Sequence, residues 1–405
     1  MIDSINLQIV LILTVGFALA ALFGYLSFKL KLSPILGYLL AGYAIGPYSP
    51  GFVADVHIAE QLAEIGVILM MFGVGLHFRV EELSAVKNIA IPGGIVQALM
   101  ATVVGAYALW YFGAPIESSI VYGLAISVAS TVVMMRMLTD YKLLDTVQGH
   151  VAVGWAIVED IITIFILILL PSLATASQGG GFDIQDLFTL IAIAIVKCII
   201  LALLMFSLGR FLISNALATI INTHSTELFT LTILAVTFLI ATGASYVFGT
   251  SIALGAFLSG LVMAETNVRK RIYNNALPIK DTFVVVFFLS VGMLFNPLAV
   301  VENLGLFIAT LGVILIVKPL AAYLITIILK HPLKTAVTVG IALSQIGEFT
   351  FIVAEEALKF NILSDDAYDI LVAASLTSIA LNPIFFRIFQ NYLGVTPTKT
   401  GPIPS

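Results

Sequence analysis

The chain has 405 residues, of which 60% are hydrophobic and only 10% charged, with a formal net charge of −5 at pH 7. Its mean hydropathy is +1.12, whereas a soluble domain carries about 25% charged residues. This composition excludes a water-soluble globular protein, a disordered chain and a nucleic-acid-binding protein. The apolar runs are long and continuous rather than short and alternating, so they also exclude a porin-like barrel. They predict an all-α polytopic membrane protein.

About thirteen apolar segments lie between the charges, prolines and glycine clusters of the chain. The first is longer than a signal-peptide core and has no basic residue before it, so we interpret it as a retained membrane helix. The second and ninth are short. In chain order, the segments are 6–28, 33–45, 60–78, 89–112, 118–138, 147–174, 184–213, 227–248, 251–264, 277–295, 300–329, 335–358 and 367–389.

The basic residues indicate the orientation of these segments. Alternating the segments across the bilayer puts 15 of the 18 Lys and Arg residues on one side, and cytoplasmic loops are enriched in these residues. The N-terminus is therefore predicted to lie outside and the C-terminus in the cytoplasm. Residues 392–405 would form a short cytoplasmic tail.

The two halves of the chain resemble each other. The chain has six segments, a seventh that acts as a linker (184–213) and then six more. Because the linker adds one crossing of the membrane, the second half is inverted relative to the first, which is typical of secondary transporters. The matching stretches are 33–37 with 251–255, 74–75 with 291–292, and 123–127 with 340–344, at offsets of 217 or 218 residues.

The corresponding fifth and twelfth segments both lose their apolar character midway. The first reads Ser127-Val-Ala-Ser130-Thr131 and the second Ser344-Gln-Ile-Gly-Glu348. Small and hydroxyl residues can satisfy the backbone groups that an unwound membrane helix leaves free. We therefore predict a broken helix in each half. The alternative is ordinary helix packing through small residues.

Three charges lie near the middle of predicted membrane helices, at Glu159, Asp160 and Lys318. Each costs about 2.5–3.5 kcal/mol at a helix centre, so such charges are functional candidates. Adjacent carboxylates point about 100° apart on a helix, which predicts separate tasks. One would pair with Lys318, while the other would face a cavity and bind a proton or a monovalent cation in turn. A purely stabilising ion pair is the alternative.

Several ordered motifs resemble the second family of monovalent cation:proton antiporters. Within it, the chain most resembles the Kef-type potassium:proton antiporters and their YbaL-like branch. The resemblance covers nearly the whole chain, and the motifs that carry it are Ser130-Thr131, Glu159-Asp160, Phe288-Leu-Ser-Val-Gly292, Lys318-Pro319 and Ser344-Gln-Ile-Gly-Glu-Phe349.

The resemblance implies a sodium:proton antiporter-like fold with crossed broken helices, in residues 1–391 of a homodimer in the bacterial inner membrane. A dimerisation part would comprise about 1–85 and 224–296, and a core part about 86–175 and 300–391. The core would move against the rest in elevator-like alternating access.

The resemblance also assigns the site. Asp160 would be the principal ligand of the cation and the proton, with Glu159, Ser130 and Thr131 in the same site. Lys318 matches the basic residue that pairs there. The residues themselves indicate Ser127, Ser344 and Glu348 as supporting groups at the breaks; Glu348 is expected to be structural, with contact to the ion as the alternative. Glu159 departs from the family, since Kef proteins have Gln there.

Two further departures concern regulation. The stretch Asn267-Val-Arg-Lys-Arg271 is basic, whereas Kef proteins carry an acidic regulatory loop after the ninth helix. Kef proteins also have a cytoplasmic nucleotide-binding domain after the last helix, which we expect to be absent here. We therefore expect no cofactor, and nucleotide or glutathione regulation only if a C-terminal domain follows.

These features together predict a secondary transporter that exchanges potassium, or alternatively sodium, for protons. No nucleophile–base or metal-ligand arrangement indicates an enzyme. A ligand-gated potassium efflux channel without obligatory proton coupling is the main alternative, and a sodium-coupled symporter is another.

Overall fold

The computed structural model describes residues 5–30, 32–49, 56–77, 80–178 and 184–393. Most of the predicted tail 392–405 lies outside these ranges. Within them, all regular secondary structure is helical, which confirms the predicted all-α class.

The first half of the chain contains nine α-helices and a π-helical stretch, Met205–Gly209, between α8 and α9. They are α1 (Ile5–Lys29), α2 (Pro34–Ile45), α3 (Val56–His77), α4 (Val80–Tyr111), α5 (Ile116–Ser127), α6 (Thr131–Asp140), α7 (Val147–Gln178), α8 (Ile184–Leu204) and α9 (Arg210–Ile221).

The second half continues with nine more α-helices. They are α10 (Thr226–Phe248), α11 (Ile252–Ala264), α12 (Arg269–Leu294), α13 (Pro297–Glu302), α14 (Leu304–Gly312), α15 (Lys318–Ile328), α16 (Leu333–Ala342), α17 (Glu348–Lys359) and α18 (Asp365–Leu393). A second π-helical stretch, Val313–Val317, joins α14 to α15 and ends directly before Lys318. The sequence patterns did not predict this local widening, which is common at functional sites.

Nine helices in the described ranges are long and apolar enough to cross a membrane, judged by length and composition. Four shorter apolar helices accompany them, among them α2 and α11, which correspond to the predicted short second and ninth segments. The total of thirteen spans and the inverted relation of the halves stay predictions.

The chain divides into two compact units. The first comprises residues 1–27, 37–79 and 164–295, and in it α3 packs along α11 and α12. Phe72 of α3 and Phe287 and Phe288 of α12 are completely buried there. The last two rings meet edge to face, with their centroids 5.2 Å apart.

The second unit comprises residues 28–36, 80–163 and 296–405. Its apolar core gathers Met134 and Leu138 of α6, Trp155 of α7 and Phe386 of α18. Tyr141, just after α6, stacks on Phe386 at a centroid distance of 5.3 Å. All predicted site residues belong to this unit. The roles predicted for the two parts, dimerisation and core, stay predictions.

Candidate functional site

The first helix break separates α5 from α6. The hydroxyl of Ser127 donates to the carbonyl of Leu124 at 2.7 Å. The hydroxyl of Ser130 accepts from the amide of Val133 at 3.2 Å and so caps α6. Local side-chain bonds of this kind compete with the helix and favour its ends. The predicted break is therefore present, with Val128, Ala129 and Ser130 outside the helices.

The second break separates α16 from α17 and repeats this local chemistry. The hydroxyl of Ser344 donates to the carbonyl of Ile341 at 2.8 Å, as Ser127 does to Leu124. Both donor and acceptor lie 217 residues beyond their counterparts, since 344 − 127 and 341 − 124 each equal 217. The starts of α17 and α6 differ by the same number, 348 − 131 = 217.

The two breaks are joined by Gln345. Its Oε1 accepts from the amide of Ser130 at 2.9 Å, and its Nε2 donates to the carbonyl of Ser130 at 3.0 Å. A second link runs from the hydroxyl of Ser130, which donates to Oε2 of Glu348 at 2.6 Å. Since Glu348 is the first residue of α17, its carboxylate also sits at the positive end of that helix dipole. These contacts place Glu348 at both breaks, and its structural role stays a prediction.

The two carboxylates of α7 meet the first break at different points. Oε2 of Glu159 accepts from the amide of Ala129 at 2.7 Å, and this side chain is completely buried. Asp160 is half-buried and accepts from the hydroxyl of Thr131, which lies 3.3 Å from Oδ1. Glu159 thus binds backbone within the protein, while Asp160 is only partly enclosed and contacts a hydroxyl.

Lys318 is completely buried and donates to the carbonyl of Gln345 at 3.2 Å. Within the described residues, the structure shows no ion pair between Lys318 and Glu159 within 4.0 Å. The predicted direct pair is therefore not formed in this conformation. The ammonium instead binds a carbonyl that the second break exposes.

Glu159, Asp160 and Glu348 all lie at the two breaks, in the unit that also contains Lys318. A cation or a proton bound at Asp160 would neutralise the charge of that carboxylate.

Sequence reasoning missed three amide side chains of the site. Gln345 lies within the motif Ser344–Phe349 but has no predicted role, and Gln97 and Asn382 belong to none of the predicted motifs. Asn382 of α18 donates from Nδ2 to the carbonyl of Ile341 at 2.8 Å and to the hydroxyl of Ser344 at 3.1 Å. All three amides are completely buried. An amide within an apolar segment is the signal that could have revealed them.

Gly347 lies in the second break and faces Ser130 of the first. A Cβ at this position would collide with Ser130, so there is no room for a side chain. We expect Gly347→Ala to force the breaks apart and to destabilise the protein by about 1–3 kcal/mol or more. Thermal unfolding in detergent measures this effect. Gly312→Ala is the matched control, since a Cβ there would meet nothing within 4 Å. Equal unfolding midpoints for the two variants would contradict the close approach.

Buried charges at two contacting helix breaks, in an apolar helical protein, are typical of secondary transporters. The profile of the family described as "Sodium/hydrogen exchanger, transmembrane" matches residues 17–390. The chain therefore belongs to the sodium/hydrogen exchanger family and is a multi-pass membrane protein. The resemblance seen in its motifs is confirmed.

Named relatives agree with this family. The chain is 43% identical to the putative cation/proton antiporter YbaL of Escherichia coli (strain K12), over 95% of this chain and 69% of that protein. It is 30% identical to the chloroplastic K(+) efflux antiporter 1 of Arabidopsis thaliana, over 87% of this chain and 29% of that protein. These names describe antiporters rather than enzymes or channels.

A solved structure shares the fold. The sodium proton antiporter MjNhaP1 from Methanocaldococcus jannaschii, solved at pH 8, aligns with a TM-score of 0.63 and 17% sequence identity. The alignment covers 96% of this chain and 98% of that one. At this identity the likeness concerns the fold alone, and it supports the predicted antiporter-like architecture.

Proposed function

We propose that the protein exchanges a monovalent cation for protons, with Asp160 as the group that binds them in turn. The observation that carries this proposal is the contrast between the two adjacent carboxylates of α7. Glu159 is enclosed and accepts a backbone amide, while Asp160 is half-buried beside the hydroxyl of Thr131. A carboxylate and a hydroxyl provide the hard oxygen ligands that alkali cations prefer.

The charge of Asp160 explains why binding would lead to exchange. An empty Asp160 carboxylate is a negative charge, which resists passage through an apolar barrier. A cation or a proton on Asp160 neutralises this charge, and the loaded core can then move. Because both ligands need the same oxygens, one must leave before the other binds, which couples the two fluxes.

Potassium is the proposed cation. The plant relatives that share 30% of residues with this chain are named potassium efflux antiporters. The solved structure with the same fold is a sodium antiporter at 17% identity, so sodium is the second choice.

The wider architecture belongs to the same proposal. Residues 86–175 and 300–391 would form a core that moves as an elevator, and 1–85 and 224–296 would form the interface of a homodimer, with 184–213 as linker. The protein would lie in a bacterial inner membrane, with its N-terminus outside and its C-terminus in the cytoplasm.

The test is proton movement in proteoliposomes that contain the purified protein and an internal pH dye. With a pH gradient imposed, potassium, sodium, lithium and choline chloride are added in turn at equal ionic strength. We expect potassium to collapse the gradient at the lowest concentration, sodium at a higher one, and choline not at all. Sodium before potassium would overturn the selectivity. Cation flux without proton movement would indicate a channel instead.

A further inference from the structure

Gln97 of α4 lies at the C-terminal end of α5 with its amide group held on both sides. Its Nε2 donates to the carbonyl of Ser127 at 3.3 Å, and its Oε1 accepts from the indole Nε1 of Trp155 at 3.2 Å. All three residues are completely buried. Because an indole N–H can only donate, Trp155 fixes the oxygen of Gln97 on its own side and turns the NH₂ group toward Ser127.

The carbonyl of Ser127 needs such a donor. Ser127 is the last residue of α5, and the final carbonyls of a helix have no partner within the helix. Buried in a membrane protein, such a group has no water to bind and costs several kcal/mol if it stays unpaired. Gln97 supplies the missing bond from a neighbouring helix.

Trp155 connects this bond to the proposed ion site. It lies four residues before Glu159 on α7, so the two side chains share one face of the helix. Side chains on consecutive turns of α7 therefore contact, directly or through Gln97, residues that follow one another along the first break. Trp155 acts on Ser127 through Gln97, Glu159 binds the amide of Ala129 and Asp160 binds the hydroxyl of Thr131.

The indole ring of Trp155 has little room to move. A Cβ at Gly93 of α4 would collide with the six-membered ring of Trp155, so α4 approaches the ring through a glycine. The ring also belongs to the apolar core of its unit. Trp155 is therefore a rigid support rather than a mobile side chain.

We propose that Gln97, oriented by Trp155, is a positioning residue for ion exchange. By holding the carbonyl of Ser127, it keeps the break in the register that presents Thr131 to Asp160. This inference rests on the role proposed for Asp160.

The first test compares exchange kinetics in proteoliposomes. Gln97→Leu keeps the size of the side chain and removes the donor, so we expect the apparent KM for potassium to rise about tenfold, which corresponds to about 1.4 kcal/mol. The pH dependence of exchange should shift as well, because the same break orders the proton-binding carboxylate. Trp155→Phe keeps Gln97 but frees its amide, and a smaller rise in KM is expected.

Tyr122→Phe is the matched control. Tyr122 also lies on α5 and is completely buried, and its hydroxyl bonds to that of Thr310 at 2.6 Å. This variant loses one buried hydrogen bond without touching the break, so its KM and pH profile should match the parent. A merely structural role for Gln97 would lower the unfolding midpoint and leave KM and the pH profile unchanged, and that result would overturn the proposal.

The second test measures the fluorescence of Trp155, whose indole N–H donates to Gln97. The chain has two tryptophans; Trp110 is 53% exposed and Trp155 is buried, so Trp110→Phe leaves Trp155 as the single reporter. Adding potassium chloride, but not choline chloride, should change its fluorescence with a midpoint near the KM. Asp160→Asn should remove this response, and Gln97→Leu should shift its midpoint about tenfold.

The outcomes separate this inference from the proposed function. A parent that exchanges ions but shows no potassium-dependent Trp155 signal would overturn the coupling of Trp155 and Gln97 to the site. A parent that exchanges no cation for protons would overturn the proposed function, while its fluorescence would still show whether a bound cation reaches Trp155. If Gln97→Leu does not fold, the KM of Trp155→Phe is compared with that of Tyr122→Phe. Equal KM values for these two variants would overturn the proposal.

Discussion

Asp160→Asn should abolish cation-driven proton movement, with a loss of at least about 100-fold in exchange rate. Asparagine keeps the size and the hydrogen bond to Thr131 but cannot release a proton or offer a negative charge to a cation. Proteoliposomes with an imposed pH gradient measure the effect, using the same cation series as for the unmodified protein. The fold should survive, because Asp160 is half-buried and bonds to a single hydroxyl at 3.3 Å.

Asp281→Asn is the control for this prediction. Asp281 is 59% exposed and pairs with Lys280 at 2.8 Å, so the same chemical change is made away from the breaks. Its exchange rate should equal that of the parent. Undiminished exchange in Asp160→Asn would remove Asp160 from the mechanism and would direct attention to Glu348 and Glu159.

Lys318→Met should destabilise the protein by about 1–3 kcal/mol or more, the usual cost of leaving a buried acceptor without its donor. The change leaves the carbonyl of Gln345 without its donor and removes a buried positive charge from the unit that contains Glu159. Adding Glu159→Gln should restore part of the loss, because a buried negative charge is then removed too. Thermal unfolding in detergent of the two single variants and the double variant measures the coupling.

The partly exposed pair of Lys280 and Asp281 is the comparison for this cycle. Their side chains are 22% and 59% exposed, and such pairs contribute about 0–1 kcal/mol. A coupling between Lys318 and Glu159 no larger than that of this pair would show that Lys318 serves only the carbonyl of Gln345. A clearly larger coupling would establish that the two charges act together even without the direct contact.

The sequence predicted the broken helices and the residues at them because both are local properties. Ser127, Ser130 and Ser344 bond to backbone within three residues of themselves, so these hydroxyls favour a helix end through local contacts. The π-helical turn before Lys318 was not predicted, since Val313–Val317 is uniformly apolar and carries no turn residue.

The partners of the site side chains could not be predicted. The pairing of Lys318 with Glu159 was expected from charge, whereas the lysine bonds to the carbonyl of Gln345, 27 residues away. Opposite charges favour an ion pair, but the packing of the helices decides which acceptor lies within reach of the ammonium group. Gln97, which joins α5 to Trp155, was missed for the same reason.

The sequence by itself therefore determined the membrane class, the family and the positions at which charge enters the bilayer. Each of these follows from composition, motif order and the high free energy of a charge among apolar residues, none of which depends on distant contacts. Only the tertiary structure decided that Glu159 is fully enclosed while Asp160 is only partly enclosed, and that Gln345 joins the two breaks. These features depend on contacts between residues 30 and 215 positions apart, and such contacts exist only once the helices have packed.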